Sequence, residues 1–224
     1  KINSFTYNPQ TPIYNAMFSL KYIYDKSDLI SECEYYAKKA ENTKFSAYEN
    51  KYMLNIAYPV SKSVKNWDAS LYKNPVEAQE EYFRLATNVT GIYNRITDYE
   101  IIYGNIHLID KYDIANESFT LNKIDGNYDG SITIDITAKD TSNIYIYVYS
   151  RNLGDVSVFS PKITTTMNVN DGYILDLGSH EPNDIISVEL PLEEGHSSAN
   201  VDFVAFTIDH NKFVKEYNKL KDGQ

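Results

Sequence analysis

The sequence predicts an α+β protein in which a mixed α/β N-terminal region is followed by an antiparallel, jelly-roll-like β-sandwich that a C-terminal helix closes. The main observation is the stretch at residues 131–150, SITIDITAKDTSNIYIYVYS, in which aliphatic side chains alternate twice with polar or aromatic ones. Successive side chains of a strand point to opposite faces, so both halves are interpreted as half-buried strands. Helix signals lie before residue 97 and near the end of the chain, and strand signals dominate from Tyr99 onward.

Length and composition are consistent with two folded regions, which we place at residues 1–97 and 98–224. The chain has 224 residues, of which 42% are hydrophobic and 23% charged, so each region can form a core. The net charge of −10 disfavours nucleic acid and an anionic membrane as partners and favours a neutral or cationic one. Cys33 is the only cysteine, which excludes an internal disulfide. No apolar run is long enough to span a bilayer, so we expect a soluble piece of a longer protein.

Four elements are predicted before residue 61. Thr11 and Pro12 begin a short helix, because a capping hydroxyl precedes a proline at the first helical position. A strand at residues 21–24 follows directly. A second helix, capped by Ser27 or Asp28, is expected to run to about residue 40. Residues 45–60 are extended in character and end near Pro59, since a proline cannot sit inside a ladder.

A further helix is predicted to begin at Pro75 and to run to about Asn88. Asn74 is the N-cap, and Glu77 can complete a capping box. Gly91 is the expected stop, because glycine adopts the left-handed conformation that ends many helices.

The sandwich is predicted around residues 131–150, which we interpret as an antiparallel hairpin with its turn at residues 139–142. More strands are expected at residues 156–159, 173–177, 185–190 and 200–208, at a spacing typical of a sandwich or jelly roll. Residues 203–206 are apolar on both faces, which predicts cover on both sides. We expect the closing helix, capped by Asp209, to provide that cover.

Several passages together resemble the YfhO family of bacterial polytopic membrane proteins. The passages are NPQTPIYNAMFSLKYIYD at residues 8–25, YENKYMLNIAY at residues 48–58, and the strand and helix FVAFTIDHNKFVKEYNKL up to residue 220. Residues 74–79 and 173–188 are also similar to the extracytoplasmic part of that family. The resemblance lies in the order and spacing of these passages along almost the whole chain.

The resemblance implies a parent protein with many membrane spans, similar to the C-type glycosyltransferases that use lipid-linked sugars. Such a parent is implicated in adding sugars to lipoteichoic acid or related wall polymers. The catalytic carboxylate of that superfamily lies in an early loop that this chain lacks, so no catalytic residue is expected here. The implied partners are a wall glycopolymer or lipid-linked sugar and the parent's own transmembrane region, on the extracytoplasmic side of the membrane. No motif indicates a cofactor.

Aromatic side chains are the candidate sugar-binding residues. Tyr145, Tyr147 and Tyr149 share one strand face and could stack on successive pyranose rings. The alternative is that the row packs against the N-terminal region or a second sheet. Trp67, near Tyr72, is a second and weaker aromatic candidate.

A metal site is a weaker candidate still. Asp125, Asn127 and Asp129, in DGNYDG, occupy positions 1, 3 and 5 of a calcium loop, with a glycine at position 6. Position 12 should be a glutamate but is Ile136, so we favour a turn and expect no metal. The histidines are scattered without the spacing that brings two nitrogens to one ion.

Two functional hypotheses follow from the sequence. The first is an accessory domain of a membrane glycosyltransferase-like protein that contacts a glycopolymer or its lipid-linked donor. The second is a free-standing carbohydrate-binding or surface-adhesion module.

Overall fold

The structure is a computed structural model that describes residues 10–26, 30–109 and 117–223. It consists mostly of antiparallel β-sheets with few helices and a C-terminal helix, which confirms the predicted sandwich-like class. The mixed α/β character predicted for residues 1–97 is not confirmed. By compactness the chain divides into two units, Lys1–Asn94 with Thr207–Gln224, and Arg95–Phe206. The boundary predicted between residues 97 and 98 stays a prediction.

Within its described residues, the first unit contains three α-helices and two 3-10 turns. The α-helices are α1 (Pro12–Met17), α2 (Pro75–Thr87) and α3 (His210–Asp222), and the 3-10 turns are Lys62–Asn66 and Ala69–Leu71. The N-caps predicted for α1 and α2 are confirmed. The Thr11 hydroxyl accepts a hydrogen bond from the Tyr14 N–H at 3.0 Å, and the Asn74 side-chain oxygen accepts from the N–H of Glu77 at 2.9 Å. At its other end α2 stops earlier than Gly91, because Asn88 itself adopts the left-handed conformation with φ 60°.

The first unit also contains a three-stranded antiparallel sheet. Its strands are β1 (Tyr22–Asp25), β2 (Tyr36–Glu41) and β3 (Ser46–Asn50), in the order β1-β3-β2. The helix predicted to run to residue 40 is therefore wrong, and its expected caps, Ser27 and Asp28, lie outside the described residues. The residues of β2 are acceptable helix formers, yet pairing with β3 from Tyr36 to Glu41 outweighs this local preference. Of the extended run at residues 45–60, only Ser46–Asn50 forms a strand.

An aromatic cluster forms the core where α3 packs within the first unit. Phe213 of α3, 2% exposed, contacts the rings of Tyr35 and Tyr52 at centroid distances of 5.8 and 5.2 Å. Tyr217 lies 5.2 Å from Tyr52, and its hydroxyl donates a hydrogen bond to the backbone carbonyl of Met53 at 3.0 Å. The helix begins at the predicted cap, Asp209. These contacts fix the closing helix to residues far earlier in the chain.

The remaining strands build a sandwich-like arrangement of two sheets. They are β4 (Tyr93–Ile96), β5 (Tyr99–Gly104), β6 (Ile106–Ile109), β7 (Ser118–Lys123), β8 (Ser131–Thr137), β9 (Asn143–Tyr149), β10 (Val156–Phe159), β11 (Thr164–Met167), β12 (Tyr173–Ser179), β13 (Ile185–Pro191) and β14 (Ser198–Ile208). One sheet has the order β11-β10-β13-β8-β5, and the other has the order β12-β9-β14-β7-β6, with β4 also paired to β14. The rings of Tyr99 in the first sheet and Phe203 in the second meet at 5.6 Å.

The hairpin predicted at residues 131–150 is wrong, although both of its strands exist. Strand β8 pairs with β5 and β13, whereas β9 pairs with β12 and β14, so the connection passes from one sheet to the other. The end of β8 is held by a different loop, because the N–H of Ala138 donates to the Asp184 carbonyl and the N–H of Asn183 to the Ala138 carbonyl. Alternation predicts that a stretch forms a strand, but it does not identify the neighbouring strand.

Candidate functional site

A groove lined largely by aromatic side chains lies between α1 and β1 in the first unit, with a volume of about 430 Å³. Its lining is Gln10, Tyr14, Phe18, Leu20, Tyr22, Ile23 and Tyr24. Four of these seven side chains are aromatic. We refer to this set of residues as the aromatic groove.

The wall formed by α1 is held by buried hydrogen bonds. The Thr11 hydroxyl donates to the side-chain oxygen of Gln79 at 2.6 Å, and the Tyr93 hydroxyl donates to the same oxygen at 3.0 Å. The Asn15 amide, which is fully buried, donates to the Tyr36 hydroxyl at 2.7 Å. Because these bonds tie a six-residue helix to α2 and β2, the position of this wall is fixed before any ligand arrives.

The wall formed by β1 presents two tyrosines in alternation. Tyr22 and Tyr24 are 50% and 66% exposed, whereas Ile23 and Asp25 between and after them are 7% and 8% exposed and point to the core. Since β1 ends the described sheet, no further strand of the described residues lies beyond it. Because alternate side chains of a strand share one face, Tyr22 and Tyr24 lie side by side on an uncovered face of the sheet.

The rings of the groove are oriented by their neighbours. Tyr14 and Phe18 stack at 4.4 Å, with Phe18 52% exposed, and Tyr24 meets Phe45 edge-on at 5.6 Å. The ammonium group of Lys21 lies 5.2 Å from the centroid of the Tyr22 ring. The arrangement offers flat apolar faces with hydroxyl groups at their rims, which is suited to a ring that is apolar on its faces and polar at its edge.

The tyrosine row proposed from the sequence lies in the other unit and is largely packed. Tyr145 is fully buried and stacks on Phe206 at 5.4 Å, and Tyr147 is 6% exposed with its ring close to Gly172. Tyr149 is half-buried, and its hydroxyl accepts a hydrogen bond from the Arg151 side chain at 3.1 Å. The packing alternative therefore describes Tyr145 and Tyr147, and sugar contact by Tyr149 stays a prediction.

Burial makes Tyr147 sensitive to alkaline pH. Burial, with a smaller contribution from the charge of Asp202, raises the pKa of the Tyr147 hydroxyl above its ordinary value. In the unfolded chain the Tyr147 hydroxyl ionises at about pH 10. The neutral, buried hydroxyl therefore makes its full contribution to the free energy of unfolding below that pH, and this contribution is lost as the pH rises further. We expect urea unfolding at about pH 11 to show a smaller loss of stability in Tyr147→Phe than in the unchanged chain. An equally steep loss in both would contradict the burial of this hydroxyl.

Trp67, the second aromatic candidate, serves the first unit's own packing. Its indole N–H donates to the backbone carbonyl of Ala78 at 2.9 Å, and its ring meets Tyr82 edge-on at 5.5 Å. It is half-buried and does not line the aromatic groove. Sugar contact by Trp67 stays a prediction.

The loop with Asp125, Asn127 and Asp129 forms a turn. The Asp125 carboxylate accepts hydrogen bonds from the N–H and the side-chain amide of Asn127, both at 2.9 Å, and the side chain of Asn105 donates to the carbonyls of Asp125 and Asp129. Among residues 10–26, 30–109 and 117–223, no group of three or more His, Cys, Asp or Glu side chains is arranged to hold a metal ion.

The fold places the chain in the class of β-sandwich proteins, here combined with a second unit that carries an open aromatic groove. None of the helices in the described part of the chain is long and apolar enough to cross a membrane. The sequence matches the family model of the bacterial membrane protein YfhO over residues 1–224. The chain therefore belongs to the YfhO family, which confirms the resemblance found in the sequence.

Solved structures that are similar to the chain include carbohydrate-binding modules of family 29. One such module has 14% sequence identity and a TM-score of 0.33, and the match covers 57% of this chain and 93% of that chain. A variant of the module complexed with mannohexaose has 14% identity and a TM-score of 0.34, covering 56% of this chain and 98% of that chain. No curated protein sequence matches this chain.

Proposed function

We propose that this chain is an extracytoplasmic accessory domain of a membrane glycosyltransferase-like protein and contacts the sugar units of a wall glycopolymer or of a lipid-linked donor. Membership of the YfhO family supports a membrane-protein parent. The observation that carries the sugar contact is the aromatic groove, in which four aromatic rings line a preformed opening of about 430 Å³. In this proposal the parent protein carries out sugar transfer, and the present chain binds the glycopolymer or the lipid-linked donor. Lipoteichoic acid or a related wall polymer is the substrate that the family resemblance favours.

The groove fits a sugar because of its chemistry as well as its size. A pyranose has apolar C–H faces and a rim of hydroxyl groups, so it stacks on an aromatic face while its hydroxyls bond to polar atoms beside the ring. Tyr22 and Tyr24 supply such faces from one strand, and their own hydroxyls and the side chain of Gln10 supply polar atoms. Rigid rings also lose little conformational entropy on binding.

The test is sugar binding by the 224-residue chain and by a double variant, Tyr22→Ser with Tyr24→Ser. The probe is neutral glycan released from the cell wall by removal of its phosphate groups, titrated by calorimetry. We expect the double variant to bind at least about tenfold more weakly, because aromatic side chains at the centre of an interface contribute most of its affinity. Both side chains are at least half exposed, so the melting temperature should change little.

The competing site is tested with Tyr149→Ser, which removes a half-buried tyrosine from the other unit. It should bind the glycan as the unchanged chain does. Equal binding by all three proteins would exclude the groove, and loss of binding in Tyr149→Ser alone would move the sugar contact to the row predicted from the sequence.

A further inference from the structure

Charge is distributed very unevenly between the two units. The unit that consists of Lys1–Asn94 and Thr207–Gln224 has 15 Lys and Arg and 13 Asp and Glu residues, a net charge of +2. The unit Arg95–Phe206 has 6 Lys and Arg and 18 Asp and Glu residues, a net charge of −12. The whole-chain charge of −10 therefore includes one unit of net charge +2, which an anionic surface does not repel.

One stretch of the first unit combines basic and exposed apolar side chains. Residues 56–73, IAYPVSKSVKNWDASLYK, contain three lysines and a single acidic residue, Asp68. Ile56 and Leu71 are 96% and 73% exposed, and they are the two most exposed of the large apolar side chains in the described residues. We refer to residues 56–73 as the basic apolar segment.

The lysines of the basic apolar segment are available to a partner. Lys62, Lys65 and Lys73 are exposed, and none of the ion pairs within 4.0 Å in the described ranges involves them. Both 3-10 turns of the segment pack on α2, so the segment is supported by a folded element.

We infer that the basic apolar segment contacts the surface of an anionic lipid bilayer. Exposed lysines attract lipid phosphates, and aliphatic side chains beside them gain free energy by entering the headgroup region. Charge complementarity favours an anionic bilayer as the partner of this segment, because the segment is basic. The sandwich unit, with a net charge of −12, is repelled by the same surface. The inference is independent of sugar binding, since the segment contains no residue of the aromatic groove.

The chain carries its own reporter for the test. Trp67, the only tryptophan, lies within the segment and is half-buried, so its fluorescence should shift to shorter wavelength when lipid covers the segment. The 224-residue chain is titrated with vesicles of phosphatidylglycerol and, separately, of phosphatidylcholine. We expect binding to phosphatidylglycerol vesicles, weakened by added salt, and no binding to phosphatidylcholine vesicles.

Two variants identify the contact. Lys62→Gln with Lys65→Gln should weaken binding to phosphatidylglycerol vesicles about 30-fold, because each lysine near an anionic surface contributes about fivefold. Ile56→Ser with Leu71→Ser should weaken it by about tenfold or more, through lost apolar burial. Since all four side chains are exposed, circular dichroism should show an unchanged fold.

The matched control is Ile124→Ser with Lys139→Gln, which removes an exposed aliphatic and an exposed lysine from the acidic unit. It should bind the vesicles as the unchanged chain does. The inference is wrong if phosphatidylcholine vesicles bind equally, if the segment variants bind as tightly as the unchanged chain, or if the control loses as much affinity as they do.

Discussion

Tyr145→Ala should lower the free energy of unfolding by about 3 to 5 kcal/mol, the usual cost of truncating a large buried aromatic side chain. The ring is fully buried and stacks on Phe206 at 5.4 Å, so its removal leaves a cavity and deletes an aromatic contact. Urea unfolding followed by circular dichroism measures the loss.

Tyr149→Ala is the comparison for this experiment, because Tyr149 lies on the same strand but is only half-buried. Its loss of stability should be much smaller. If Tyr145→Ala kept the stability of the unchanged chain and abolished glycan binding, the row would be an exposed sugar platform and the packed arrangement would be wrong.

Phe213→Ala should have a similar effect in the first unit, about 3 to 5 kcal/mol. Phe213 is 2% exposed and packs against Tyr35 and Tyr52, so its loss removes two aromatic contacts between α3 and the preceding part of the unit. The measurement is again equilibrium unfolding in urea.

Asn218→Ala, an exposed position on the same helix, is the control and should change stability by less than about 0.5 kcal/mol. A loss in Phe213→Ala no larger than in this control would mean that the helix does not dock on the aromatic cluster.

The comparison of two tyrosine patterns shows what alternation in a sequence can predict. Both Tyr22-Ile-Tyr24 and the row from Tyr145 to Tyr149 alternate tyrosine with an aliphatic residue. On β1, at the edge of a three-stranded sheet, the tyrosines are exposed; on β9, between two other strands, Tyr145 and Tyr147 are buried. The pattern predicts a strand in both cases, but exposure depends on what covers the second face of the sheet.

Sequence signals from neighbouring residues correctly predicted the three helices that begin at an N-cap side chain. Thr11, Asn74 and Asp209 each accept a hydrogen bond from the first turn that follows, because capping depends on neighbours in sequence. The partners of strands are separated by many residues, and so the hairpin at residues 131–150 and the helix through residue 40 were wrong.

The aromatic groove could not be predicted as a unit from the sequence. Its rings come from a helix and from the strand after it, and they meet because Ser19, with φ 57°, reverses the chain between them. Serine is not a residue that predicts the left-handed backbone conformation, as glycine would be. Tyr22 and Tyr24 were within the passage that carried the family resemblance, and only their exposure on an uncovered face of β1 shows that they are available to a ligand.

The first unit is built from two segments that are far apart in the sequence, and this affects how it folds during synthesis. The hydrogen bond from the Tyr217 hydroxyl to the Met53 carbonyl joins residues 164 positions apart. During vectorial synthesis the ribosome therefore completes all of residues 95–206 before α3 emerges. Tyr35 and Tyr52 gain their contacts with Phe213 only after that point. In the nascent chain this aromatic cluster therefore lacks the Phe213 ring until the whole sandwich has been translated.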